Sequence, residues 1–257
     1  MKPLVLLSDF GLDDYYTGVL HAVLARDAAE SDRIDLTHNV TPGDVWEGCY
    51  QLRCAWSYLP QQAVVLAVVD PTVGSRRRAV AVRIEHRWLV APDNGLATAV
   101  GPATEAWALD PQRIGLPVPS ETFHGRDVFA PAAARLARGE SAVVLGTPTS
   151  PQEMQPCPLP EPRQGSRGLI GTILHVDRFG NLITNLWPSQ VPKRGAICGG
   201  GHKVDRRVRA YCEAPENRVA FLAGSTGMLE LVVNRGSAAE KLGLTRGDQV
   251  EVVTIVD

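Results

Sequence analysis

Along the first half of the chain, short solid runs of apolar residues alternate with segments whose apolar positions recur every three or four residues. Residues 4–7, Leu-Val-Leu-Leu, form a continuous apolar run of the kind a strand shows when both its faces are covered. Asp13 or Asp14 can cap a following helix whose buried stripe holds Val19, Leu20, Val23 and Leu24. Residues 34–40 predict a second strand. Asp44 can cap a second helix with Val45, Cys49, Leu52, Trp56 and Leu59 on one face, closed by Pro60. The strongest strand signal is 63–69, apolar throughout and rich in valine. Residues 79–84 and 88–91 predict further strands, and Asp127 can start a helix through Ala137, with Pro131 tolerated in its first turn. The β-α-β-α-β order predicts an α/β domain with a doubly wound, mostly parallel sheet.

The pattern then breaks. Six prolines fall between Pro148 and Pro162, a density that neither a helix nor a central strand accepts, so the stretch reads as a linker. Beyond it, short runs at 171–176, 218–222, 229–233 and 249–255 are separated by glycine turns, and 237–242 predicts one short helix. That pattern predicts a small antiparallel barrel or sandwich. The expected organisation is an N-terminal α/β domain over 1–147, a proline-rich linker over 148–167 and a C-terminal β-barrel domain over 168–257.

Composition narrows the function. Of 257 residues, 44% are hydrophobic and 21% charged, enough to bury a sizeable core, and the net charge of −2 gives no basic excess for nucleic acid or an anionic membrane. Five cysteines without paired spacing argue against a disulfide framework or a structural zinc site, and for reduced thiols in a cytoplasmic protein. No stretch reaches the ~18 apolar residues of a membrane span.

The chemistry concentrates in a few runs. Three turns sit at predicted carboxyl ends of strands, where doubly wound sheets bind ligands: Ser8-Asp9-Phe10-Gly11, Asp70-Pro71-Thr72-Val73-Gly74 and Pro92-Asp93-Asn94-Gly95-Leu96. A single such turn is ordinary turn chemistry, but three along one sheet edge indicate a site. Thr122-Phe123-His124-Gly125-Arg126-Asp127 packs an imidazole, a guanidinium and a carboxylate around one glycine, and Arg76, Arg77 and Arg78 form a basic run. The chain has no dinucleotide or phosphate-loop glycine motif, no G-x-S-x-G elbow and no H-E-x-x-H, and its six histidines are scattered, so no metal site is expected.

Taken in order, these runs resemble one family. To the three turns, with Asp14, Gly18 and Arg77, and the His124 run are added Asp177-Arg178-Phe179-Gly180-Asn181 with Thr184-Asn185, and Gly224-Ser225-Thr226-Gly227 with Glu230 and Asn234. Together they look like a SAM hydroxide adenosyltransferase, an enzyme that hydrolyses S-adenosyl-L-methionine (SAM), related to the SAM-dependent fluorinase and chlorinase. The resemblance implies hydrolysis of SAM to adenosine and methionine. It further implies a homotrimer with the active site at the subunit interface, and no cofactor beyond the substrate itself.

By position, the resemblance places an Asp-Arg-His triad on Asp70, Arg77 and His124. It places ribose binding on Asp9, a second N-terminal contact on Asp14, and the grip on the methionine amino and carboxylate groups on Asp177 and Asn181. Tyr211 matches an aromatic near the adenine and Ser225 a further ligand-contacting turn; Asn94, Phe179 and Glu230 complete the implied substrate-binding set. Thr72 stands where relatives often carry glycine, so a positive φ there would strain the turn between Asp70 and Arg77. The rival readings are a SAM- or nucleoside-binding protein without turnover and, third, a SAM-dependent halogenase.

Overall fold

The structure is a computed structural model that describes residues 1–114 and 120–255. The chain divides into two compact units, Met1–Pro158 and Leu159–Asp257.

The first unit is built on a seven-stranded mixed sheet. Its strands are β1 (Leu4–Ser8), β2 (Arg33–Thr37), β3 (Val64–Val68), β4 (Ala79–Ile84), β5 (Arg87–Pro92), β6 (Glu105–Leu109) and β7 (Gly146–Thr149), in the order β2-β1-β3-β5-β4-β6-β7. β2, β1, β3 and β5 run parallel, while β4, β6 and β7 add antiparallel pairs. β1 and β3 are interior strands, and each of their residues is buried. Helices cover both faces, which is why these two strands have no polar alternation. On one face α1 (Tyr16–Asp27) and α4 (Ala130–Ala137) pack Leu20, Leu24, Ala133 and Leu136 against Leu4, Leu6, Val64 and Leu66. On the other, α2 (Val45–Ala55) approaches so closely that a side chain at Gly48 would meet Val69 and Leu96. A short α3 (Pro111–Ile114) follows β6.

Several local expectations change. Neither Asp13 nor Asp14 caps α1, which begins at Tyr16 with no side-chain cap. Asp44 does cap α2, accepting a 2.9 Å hydrogen bond from the Glu47 amide. β4 and β5 form an antiparallel hairpin, so the simple β-α alternation ends at β3. The helix expected to start at Asp127 begins earlier. A wide π-helical turn (Gly125–Phe129) runs into α4, and the Asp127 carboxylate reaches back to accept from the Ser120 amide at 2.7 Å. Pro148 lies in the edge strand β7, where a missing donor is tolerated, and Met154 is buried within the first unit.

The second unit is an antiparallel, barrel-like sheet of β8 (Arg163–Gln164), β9 (Leu169–Val176), β10 (Leu182–Thr184), β11 (Gly195–Gly199), β12 (His202–Val204), β13 (Ala220–Ala223), β14 (Leu229–Val232) and β15 (Gln249–Thr254). The order is β12-β11-β15-β9-β10-β14-β13, with β8 added to β9. Arg207, just beyond β12, bridges to Phe221 in β13 and so draws the two ends of that order together. Ile173, Leu182, Phe221, Leu231 and Val250 fill the interior. A short helix, α5 (Ala238–Leu242), is capped by Ser237, as its sequence predicts.

Candidate active site

Two of the three turns expected at the sheet edge converge on one cavity of about 280 Å³. Asp9 leaves the end of β1 and Asp70 follows β3; the residues lining the cavity include both, with His124, Val68, Val73 and an aromatic wall of Phe10, Tyr16 and Phe123. The wall holds itself by edge contacts, with the Phe123 ring 5.8 Å from Phe10 and 5.2 Å from Tyr16.

Arg77 organises the polar side. Its Nε donates to both Asp70 oxygens at 3.0 and 2.9 Å, and Nη2 donates to Oδ2 as well. Nη2 also donates to His124 Nδ1 at 2.7 Å. The Asp70 and Arg77 side chains are both buried, and the guanidinium lies 5.1 Å from the Phe129 ring centroid. One planar cation thus fixes a carboxylate and an imidazole from distant parts of the chain.

This geometry sets the proton of His124. A guanidinium only donates, so Nδ1 must be an acceptor and the neutral ring carries its proton on Nε2. Burial, and then the adjacent Arg77 charge, hold the His124 pKa below the ordinary histidine value, so the ring is neutral at pH 7.

The loop from Asp70 to Arg77 is not strained at Thr72. Thr72 is absent from the positive-φ residues, and its hydroxyl donates to Asp70 Oδ1 at 3.3 Å. The residue that needs glycine is Gly74, where φ is +81° and an added Cβ would sit 2.7 Å from the Glu121 carbonyl oxygen. Asp9 is held differently. Its Oδ2 accepts from the Gly43 amide at 2.7 Å, while burial raises its pKa.

In the second unit, Asp177, Asn181, Tyr211 and Glu230 form another polar group. Asp177 Oδ1 accepts from the Phe179 and Asn181 amides and Oδ2 from Asn181 Nδ2, each at 2.9 Å. Tyr211 donates to Glu230 at 2.8 Å. Glu230 lies buried against Gly224, where no Cβ would fit, and burial raises its pKa. The Tyr211 phenol is pushed up to about 12 by burial and by the neighbouring carboxylate.

Two family profiles match the chain, the SAM hydroxide adenosyltransferase N-terminal domain over residues 4–146 and the corresponding C-terminal domain over 171–251. The chain belongs to the SAM hydroxide adenosyltransferase family. Among its relatives, a Thermus thermophilus protein named (R)-S-adenosyl-L-methionine hydrolase is 45% identical, covering 98% of this chain and 100% of that one. A protein from Nocardia brasiliensis named fluorinase is more distant, 24% identical over 98% and 97% of the two chains. A solved structure from Thermotoga maritima, described as an uncharacterized conserved protein, superposes with a TM-score of 0.89 at 30% identity, covering 97% and 99%.

Within this SAM hydroxide adenosyltransferase chain, folding brings together Asp9, Asp70, Arg77 and His124, four of the residues singled out by sequence. It does not bring all of them. Asn94 uses its carboxamide on the chain itself, donating to the Val69 carbonyl at 2.8 Å and accepting from the Leu96 amide at 3.4 Å. Asp93, in the same turn, is buried and bonded to Arg78 and the Gln155 amide. Asp14 is exposed ahead of α1, and Phe179 and Ser225 are exposed in turns of the second unit. Sequence reasoning gave no role to Tyr16, which completes the aromatic wall; the signal was an aromatic pair, Tyr15-Tyr16, off the buried stripe of its helix.

Proposed function

We propose that this protein hydrolyses SAM to adenosine and L-methionine, with water or hydroxide attacking ribose C5′ in line with the breaking C5′–S bond. The observation that carries this reading is the Asp70–Arg77–His124 constellation at the edge of a cavity that also presents Asp9 and an aromatic wall. The name of the Thermus relative supports the same substrate, in its (R) form.

The sulfonium is already cationic, so methionine departs as a neutral thioether and needs no general acid or cofactor. The demand falls on the nucleophile. His124, neutral with its proton on Nε2, donates a hydrogen bond to the water oxygen. Asp70 accepts a hydrogen bond from the water and takes its proton as the new C–O bond forms. Arg77 holds both groups, so their orientation is settled before substrate arrives. Such positioning can supply several kcal/mol of the barrier. Asp9 accepts from the ribose hydroxyls, and the aromatic wall excludes solvent from the cavity.

The same arrangement disfavours halide. A carboxylate and a halide 4 Å apart repel by about 4 kcal/mol at an effective dielectric of ~20, whereas water carries no charge. The homotrimer and a cytoplasmic location are part of this proposal. Incubation of purified protein with SAM, followed by chromatography, is expected to give adenosine and methionine in equal amounts, unchanged by high chloride. Intact SAM bound to the protein would favour a binder without turnover, and 5′-chloro-5′-deoxyadenosine would favour a halogenase; either overturns the reading.

A further inference from the structure

The histidines look scattered in sequence, but folding pairs two of them around one carboxylate. His21 lies on α1, Asp35 on β2 and His38 just beyond β2. His21 Nε2 is 2.9 Å from Asp35 Oδ1 and 3.2 Å from Oδ2, and His38 Nε2 is 3.1 Å from the same Oδ1. We propose that His21, Asp35 and His38 form a Zn²⁺ site, separate from the cavity that holds Asp70 and His124.

Three observations carry the proposal. First, the ligand atoms converge, all lying within 4.8 Å of one another. A tetrahedral Zn²⁺ with bonds of about 2.0–2.1 Å sets its ligand atoms roughly 3.3 Å apart, so the two histidine–Asp35 separations need to open by only a few tenths of an ångström. Second, the donor set is two imidazole nitrogens and one carboxylate oxygen, which suits Zn²⁺ and disfavours Mg²⁺ and Ca²⁺.

Third, the support around the ligands is built. His38 is buried, with its side chain 2% exposed, and its Nδ1 lies 2.7 Å from Ser8 Oγ. Metal-bound histidines characteristically donate their second ring N–H to an oxygen, and Ser8 supplies one. Without metal, the Ser8 hydroxyl donates to Nδ1 and each Nε2–H donates to Asp35. On binding, each imidazole changes tautomer: its proton moves from Nε2 to Nδ1, the freed Nε2 lone pair binds the metal, and His38 Nδ1–H donates to Ser8 Oγ. His21 and Asp35 are partly exposed, at 32% and 46%, which leaves a side open for water as the fourth ligand.

Ser8, His38 and Asp35 also follow one another as a serine–histidine–aspartate row. Ser8 is buried at 1% exposure and does not line the cavity, so no substrate can reach its hydroxyl as a nucleophile. A cation here would instead tie α1 to β2 and brace the turn from Ser8 to Asp9.

The test uses tag-free full-length protein, stripped with a chelator and titrated with ZnCl₂ alone. One Zn²⁺ per chain is expected, with a rise in Tm of about 5 °C at saturating metal. His21→Ala and Asp35→Asn, both at partly exposed positions, are each expected to weaken binding at least about tenfold while SAM turnover by the metal-free protein stays unchanged. Co²⁺ in place of Zn²⁺ is expected to give visible d–d bands in the parent protein and not in His21→Ala. No saturable Zn²⁺ binding, equal binding in both variants, or a thiolate charge-transfer band with Co²⁺ would overturn the site.

Discussion

Arg77 shows at the residue scale how one side chain can fix the chemistry of two others. It donates to Asp70 and to His124 Nδ1 at once, so in the proposed mechanism His124 faces the water as a donor and Asp70 is left as the proton acceptor. Asp70→Asn is therefore expected to lower kcat for SAM hydrolysis by about 10²–10⁴-fold and, by leaving the buried Arg77 cation without its counter-ion, to lower Tm as well, read by adenosine release and thermal melting. The pH dependence has a definite sign. With its folded pKa lowered, His124 binds its proton less readily than in the unfolded chain, so it costs stability as pH falls below about 6.5 and down to the folded value. The proposed mechanism needs the neutral ring, so the acid limb of kcat/KM should lie below the ordinary histidine value. Arg77→Gln removes a neighbouring positive charge and should raise the His124 pKa in a histidine-resolved NMR titration. Glu230 behaves oppositely. A carboxyl whose folded pKa is raised costs stability above that value and recovers it as pH falls, so Glu230→Gln should leave Tm unchanged or higher at pH 7 while raising KM for SAM.

How far the sequence could be read follows from these same residues. Carboxylates and glycines at strand ends stand out locally, so Asp9 and Asp70 were legible. The tautomer of His124 was not, because it depends on a contact 47 residues away in sequence. Asn94 shares the same turn pattern, yet its carboxamide serves the backbone. Sequence spacing cannot distinguish a polar side chain spent on the fold from one left for a ligand.

At the scale of elements, the loop from Asp70 to Arg77 is the piece most exposed to test. The positive φ that would strain Thr72 is not required there, because the left-handed residue is two positions on, at Gly74. Gly74→Ala is expected to destabilise the protein by about 1 kcal/mol or more, since it meets both a positive φ and the Glu121 carbonyl. It should also reduce kcat by displacing Arg77, whereas Thr72→Gly should retain most activity. The central strands were legible from their solid apolar runs, and α2 from its cap and its stripe. The start of α1 was not, since Asp13 and Asp14 look like caps but lie ahead of the helix. Nor was the π-helical turn that carries Gly125 beside His124, because no local pattern announces an i→i+5 turn.

For the whole molecule, the change from parallel α/β patterning to glycine-punctuated short strands marks two units of different architecture, each with its own core. Among the described residues no helix is long and apolar enough to cross a membrane. The proposed homotrimer is tested by sedimentation at several concentrations, where one species of three chains is expected and a monomer throughout would contradict it. The central claim, that water is the nucleophile at C5′, is tested most directly by turnover of SAM in H₂¹⁸O with mass analysis of both products. Adenosine carrying one ¹⁸O at its 5′ oxygen, with unlabelled methionine, is the result predicted. Adenosine free of label, or SAM left intact, would contradict it.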